Sequence, residues 1–223
     1  MSPNRPILAV YGGTFDPFHI GHAAVCSAVL AEARVAELRL IPCSIPALKD
    51  GACATAAQRL QMLAQWQQDS PFRDRIQVDG QEIQRQGPSH TVDTLAALIA
   101  QRPEYRIVFV LGSDAWNSLP LWHRFKQLVS QVSFWVFSRS GADAIRYHPG
   151  LTPCHTKEDF FQAESGRFWI EQGVQIPLSS SELRQTDDFE NWPVPLVIQN
   201  YIKEHNLYRK SAGLDKSERI NDR

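Results

Sequence analysis

Ile7-Leu8-Ala9-Val10-Tyr11-Gly12-Gly13-Thr14-Phe15-Asp16-Pro17-Phe18-His19-Ile20-Gly21-His22 runs from an apolar strand through a glycine turn to the head of a helix. Glycine lets the backbone N–H groups of the turn come close to a ligand, and a helix N-terminus adds a field that favours an anion. His19 and His22 lie three residues apart, which places them on one helical face with a rise of about 4.5 Å between them. Two imidazoles so placed can donate to neighbouring oxygens of one phosphate chain, more strongly when protonated. Asp16-Pro17 shapes the turn, with Asp16 either capping the helix or touching a ligand. The segment reads as a holder for a polyphosphate.

Outward from it, strand and helix patterns alternate. Residues 20–33 suit a helix packed on a sheet, residues 38–41 a second strand, and residues 42–54 a long binding loop. A helix over 56–66, a short strand over 75–78 and a helix capped by Ser89 or Thr91 follow. Residues 106–111 and 132–137 are nearly continuous in apolar residues, as in strands buried on both faces of a parallel sheet. Residues 168–170 and 174–176 offer late strands and 193–204 a closing helix, while 142–164 carries no clear pattern. The fold class is therefore α/β, a single doubly wound, Rossmann-like parallel sheet in one domain over residues 1–210, with a polar tail over 211–223 expected to be disordered. In such a sheet ligands gather at strand carboxyl ends, and the segments after Tyr11, Ile41, Leu111 and Phe137 all fall there.

With 223 residues, 43% hydrophobic and 21% charged, the composition is that of an ordinary globular chain. A net charge of −1 without a long basic block argues against a nucleic-acid partner. No apolar stretch approaches the roughly 20 residues that span a membrane, nor is there a signal-peptide core, so the expected compartment is the cytoplasm. Cys26, Cys43, Cys53 and Cys154 show no metal-ligand or redox spacing, and Cys26 reads as a buried thiol. No protein metal site is expected.

A second chemical segment lies late in the chain. Ser179-x-x-Glu182 is a capping box, which creates a helix start where hydroxyls, N–H groups and Arg184 can grip phosphates. Asp114, after a buried strand, suits ribose hydroxyls or a cap; Trp122 suits core packing or stacking on a flat ring; Arg139 follows the next buried strand.

Residues 12–22 resemble the first signature of the nucleotidylyltransferase superfamily, and Leu178-Ser179-Ser180-Ser181-Glu182-Leu183-Arg184 is similar to its second, Ile-Ser-Ser-Thr-x-Ile-Arg. Within it, nearly the whole chain resembles the bacterial nicotinate-nucleotide adenylyltransferases: Ser89-His90-Thr91-Val92-Asp93-Thr94-Leu95, Gly112-Ser113-Asp114, Leu119-Pro120-Leu121-Trp122, Arg139 and the ending from Tyr201 to Tyr208 carry the likeness. The resemblance implies transfer of the adenylyl group of ATP to a pyridine mononucleotide, with Mg²⁺ bridging phosphate oxygens. It implies catalytic roles for His19, His22 and Arg184, and ATP contacts from Gly12, Gly13, Thr14, Phe15, Asp114, Ser179 and Ser180 as well. Lys49, Thr91, Trp122 and Arg139 are the implied acceptor contacts. One departure is plain: Pro46-Ala47-Leu48-Lys49 stands where the family carries Pro-Pro-His-Lys or Pro-Pro-His-Arg, and His90 and His123 replace common tyrosines. A transferase with another phosphorylated acceptor and a non-catalytic nucleotide-binding relative are the alternatives, and the choice between nicotinate and nicotinamide stays open, as does the oligomeric state.

Overall fold

A computed structural model describes residues 5–44, 53–85, 89–138, 145–173, 178–186 and 188–209. Among these, seven strands form one sheet: β1 (Ile7–Gly13), β2 (Val35–Pro42), β3 (Ile76–Val78), β4 (Arg106–Gly112), β5 (Ser133–Phe137), β6 (Thr152–Pro153) and β7 (Arg167–Glu171). Their order is β3-β2-β1-β4-β5-β7-β6, and every neighbouring pair is parallel. The order reverses between β1 and β4. At that switch point Gly12-Gly13 and Gly112-Ser113-Asp114 stand side by side at the carboxyl ends of the two strands, the place where open α/β sheets bind ligands.

Helices cover both faces: α1 (Ile20–Ala31), α2 (Ala56–Asp69), α3 (Gln81–Gln84), α4 (Thr91–Gln101), α5 (Ser113–Ser118), α6 (Phe125–Gln131), α7 (Lys157–Gln162), α8 (Ser180–Gln185) and α9 (Leu196–Glu204). The alternation of side chains along each strand feeds two cores. Ile7, Ala9 and Tyr11 of β1, with Val108 and Val110 of β4, pack against α1, α2, α7 and α9. Leu8 and Val10, with Ile107, Phe109 and Leu111, pack against α4, α5 and α6. Burial on both sides is why these strands read as unbroken apolar runs.

The sequence expectation for the architecture is met, with differences of detail. The helix at 91 is not capped by Ser89 or Thr91. His90 precedes its first turn without a side-chain cap, Thr91 is its first residue, and the Ser89 hydroxyl instead donates to the Glu82 carbonyl. Asp114 does not cap α5 either; Gly112 holds that position and Asp114 is exposed within the first turn. The patternless stretch contains α7, capped by the Thr156 hydroxyl, and the two-residue β6. Residues 174–176 and the tail from 211 lie outside the described residues. Cys26 is buried in α1, and burial holds its thiol far above the ordinary range. Among the described residues no helix is long and apolar enough to cross a membrane.

Candidate active site

β1 ends in the glycine turn, and the turn is shaped from beneath by rings. A Cβ on Gly13 would lie 3.1 Å from the buried ring of Phe15, and one on Gly12 would lie 3.4 Å from Phe109. Phe15 itself holds a left-handed backbone (φ 52°), which lets the chain double back at this point. Gly13→Ala should therefore displace Phe15 and cost about 1–3 kcal/mol by overpacking, read as a lowered thermal midpoint; a midpoint equal to that of the wild type would show the turn to be slack.

The two histidines form a reciprocal cap on α1. His19 is the N-cap: its Nδ1 accepts from the N–H groups of Gly21 (3.1 Å) and His22 (3.4 Å), while His22 Nδ1 accepts from the His19 N–H (3.2 Å). The rings stack with centroids 3.8 Å apart. Tyr11, Phe15 and Phe18 surround His22 on its other sides, with centroids 6.0, 5.1 and 5.3 Å away. An Nδ1 that accepts from a backbone N–H carries no proton, so each ring is the neutral Nε2–H tautomer. Protonating either ring at Nδ1 would remove an acceptor from the cap. The donor each ring offers is Nε2–H.

Of the two roles expected for Asp16, the cap on α1 falls to His19 instead; Asp16 is fully buried at a junction of four donors. Its carboxylate accepts from the N–H groups of Cys53 (2.7 Å) and Ala54 (3.0 Å) and from the Tyr208 hydroxyl (2.7 Å), and it pairs with Arg184 at 3.5 Å. Burial first, and then the Asp16 charge, push the Tyr208 phenol far above its ordinary range, which keeps it a donor. Arg184 also donates to the Asp16 main-chain carbonyl, and the Ser180 hydroxyl donates to the Pro17 carbonyl (3.0 Å). The glycine turn and α8, more than 160 residues apart in the chain, are thereby held in contact.

Ser179 caps α8 as the sequence predicts, accepting from the Glu182 N–H (3.1 Å) and donating to its carboxylate (2.8 Å). Arg184 reaches the Ser181 hydroxyl as well (3.4 Å).

On the far side of the switch point, Phe109 links Gly12 to Trp122: it underlies the glycine and meets the half-buried tryptophan edge-on, with centroids 6.0 Å apart. Trp122 donates from its indole to Ser118 (3.4 Å). His90 and His123, neighbours of Thr91 and Trp122, stack at 4.1 Å, and Asp93 pairs with Arg124 across the same junction. Thr91 and Trp122 are thus brought to one corner. Arg139 and Lys49, and with Lys49 the altered Pro46–Lys49 loop, lie outside the described residues. A cavity of about 390 Å³ opens at the ends of β5 and β7, lined by Ser138, Ile145, Tyr147, Ile170 and Gln172. Sequence reading missed Arg59 of α2, which is buried under the turn and donates to the Thr14 carbonyl (2.8 Å) and the Ser44 carbonyl (2.9 Å). An arginine within an amphipathic helix gives no signal of burial.

A family model described as cytidylyltransferase-like matches residues 10–186. A protein named "Probable nicotinate-nucleotide adenylyltransferase" from Marinomonas sp. (strain MWYL1) is 34% identical over 211 residues, covering 91% of this chain and 94% of its own. A protein of the same name from Desulfatibacillum aliphaticivorans is 33% identical over 218 residues, with coverages of 90% and 99%. The solved structure of Plasmodium falciparum nicotinic acid mononucleotide adenylyltransferase complexed with NaAD superposes with a TM-score of 0.70 at 22% identity, covering 91% of this chain and 97% of that one. That likeness is one of fold.

Proposed function

The chain belongs to the cytidylyltransferase-like family and, within it, to the nicotinate-nucleotide adenylyltransferases, and we propose on that footing that it transfers the adenylyl group of ATP to nicotinate mononucleotide, giving nicotinate adenine dinucleotide and pyrophosphate. The observation that carries this reading is the junction at Asp16, which holds the histidine-bearing turn against Arg184 of α8. One element offers two neutral donors and the other a guanidinium, an arrangement suited to a phosphate chain lying across them.

In the transfer, an oxygen of the acceptor's phosphate forms a bond to the α-phosphorus as the bond to the bridging α–β oxygen breaks. The electron pair of that bond leaves with pyrophosphate. No protein nucleophile takes part, so the barrier falls by positioning and by donors aimed at the developing charge. His19 and His22 donate from Nε2 to the α-phosphate. Arg184 faces the departing pyrophosphate. Ser179 and Ser180, whose hydroxyls already have protein partners, hold α8 and the turn in place. Gly12, Gly13, Thr14 and Phe15 present backbone to the phosphates, and Asp114 is placed at the end of β4 to accept from ribose hydroxyls. Thr91 and Trp122 form the acceptor corner, and the family pattern assigns acceptor contacts to Lys49 and Arg139 as well.

Magnesium enters as the companion of ATP. Among the described residues no group of three acidic, histidine or cysteine side chains converges, and both histidine Nδ1 atoms and the Asp16 carboxylate are engaged by the protein. A divalent ion, where ATP brings one, would neutralise phosphate charge, with both Nδ1 atoms and the Asp16 carboxylate kept for the protein's own contacts.

Pyrophosphate release measured with ATP and each pyridine mononucleotide tests the reading. Release is expected with nicotinate mononucleotide and not with ATP alone. Release only with a different phosphorylated acceptor, such as phosphopantetheine, would overturn the acceptor assignment; ATP binding without release with any acceptor would point to a non-catalytic relative.

A further inference from the structure

Arg59 is 1% exposed, and no carboxylate pairs with it among the described residues. Its guanidinium meets two neutral carbonyls, Thr14 at 2.8 Å and Ser44 at 2.9 Å, and its Nε has no hydrogen-bond partner there. Among the described residues this charge is met by neutral acceptors alone, which return only part of the cost of burying it. The Thr14 carbonyl that it binds belongs to the glycine turn. In a trans peptide the next N–H points opposite to the carbonyl, so anchoring Thr14 C=O toward α2 sends the Phe15 N–H away from α2.

We propose that Arg59 is a positioning residue for the substrate's polyphosphate: by fixing the Thr14–Phe15 peptide it aims the Phe15 N–H at a phosphate oxygen, and its charge, shielded from water beneath the turn, favours that anion. The assignment rests on the adenylyl-transfer reading only for the identity of the ligand. Placement under the turn, rather than in it, explains why Arg59 needs no contact with the ligand to act on it. A positive charge in a low-dielectric setting is felt across one peptide unit far more strongly than it would be in water.

The test is calorimetric titration of the full chain with Mg²⁺-pyrophosphate, with a non-hydrolysable ATP analogue and with nicotinate mononucleotide, for wild type, Arg59→Met and Arg59→Lys. Arg59→Met should bind pyrophosphate and the analogue about tenfold more weakly, the equivalent of one lost charge-assisted interaction. Arg59→Lys, which keeps the charge but lacks the fork that spans two carbonyls, should fall between it and wild type. Mononucleotide affinity should stay within about twofold, and the loss in pyrophosphate affinity for Arg59→Met should persist at high salt, because a buried charge is screened little.

Wild-type pyrophosphate affinity in folded Arg59→Met overturns the proposal, as does an equal loss for pyrophosphate and mononucleotide, which would mark a merely structural role. If Arg59→Met does not fold, Arg59→Lys decides: pyrophosphate affinity equal to wild type sinks the assignment. A chain that turns over no pyridine mononucleotide, yet shows the expected pyrophosphate pattern, would remove the adenylyl-transfer reading and leave Arg59 in its role.

Discussion

His22→Ala should lower kcat by about two to three orders of magnitude, the usual cost of removing one donor aimed at charge that develops in a transition state. The change also deletes the acceptor for the His19 N–H, so the thermal midpoint should fall by a few degrees for the roughly 1 kcal/mol of a lost cap. A second variant separates the two effects. Asparagine is among the best N-cap residues, and His19→Asn keeps an acceptor for the Gly21 and His22 N–H groups while removing the ring Nε2–H. It should match the wild type in midpoint and still lose activity on the scale of His22→Ala. Steady-state turnover beside calorimetric melting reads both quantities. A folded His19→Asn with normal kcat would show that His19 serves only as a cap, and normal turnover in His22→Ala would remove its proposed role in the transfer.

The histidine pair also shows where sequence reading reaches and where it stops. The spacing of His19 and His22 after two glycines pointed to phosphate, and the strand before them pointed to a sheet end; both follow from local pattern. The tautomer did not, because it depends on which ring nitrogen meets a backbone N–H at the cap. The order β3-β2-β1-β4-β5 was readable as a class, since strands buried on two faces lose their alternation. The helices at 113–118 and 125–131 were not, being too short for a periodic stripe to emerge, with α6 entered through Arg124 in a left-handed conformation. Ser179 was legible as a cap because its partner lies three residues on. The Arg59–Thr14 contact and the junction at Asp16 span 37 to 192 residues, which no window of sequence contains.

Asp16→Asn should be the most destabilising single-atom exchange in the site. Four donors converge on the carboxylate: the Cys53 and Ala54 N–H groups, the Tyr208 hydroxyl and the Arg184 guanidinium. A carboxylate accepts from all of them, but an amide brings two donors of its own and can turn only one oxygen toward the four. Some donor is then left facing another in a fully buried place, and the guanidinium loses its counter-charge. Breaking one partner out of such a pair costs about 3–5 kcal/mol, which for a chain of this size lowers the melting midpoint by roughly 6–20 °C. Function should follow. Arg184 keeps only the Asp16 and Ser181 oxygens as anchors, so the KM for ATP should rise by about tenfold while the KM for the acceptor changes little. Tyr208→Phe removes one donor without adding another and should cost about 1 kcal/mol. In the double variant the amide meets three donors instead of four, so the two losses should sum to more than the loss measured together. Strict additivity would mean that Tyr208 and Asp16 do not act as one network. An Asp16→Asn midpoint within a degree of wild type would mean that the carboxylate does not hold the turn to α8, and the phosphate site would then need another explanation for its two halves meeting.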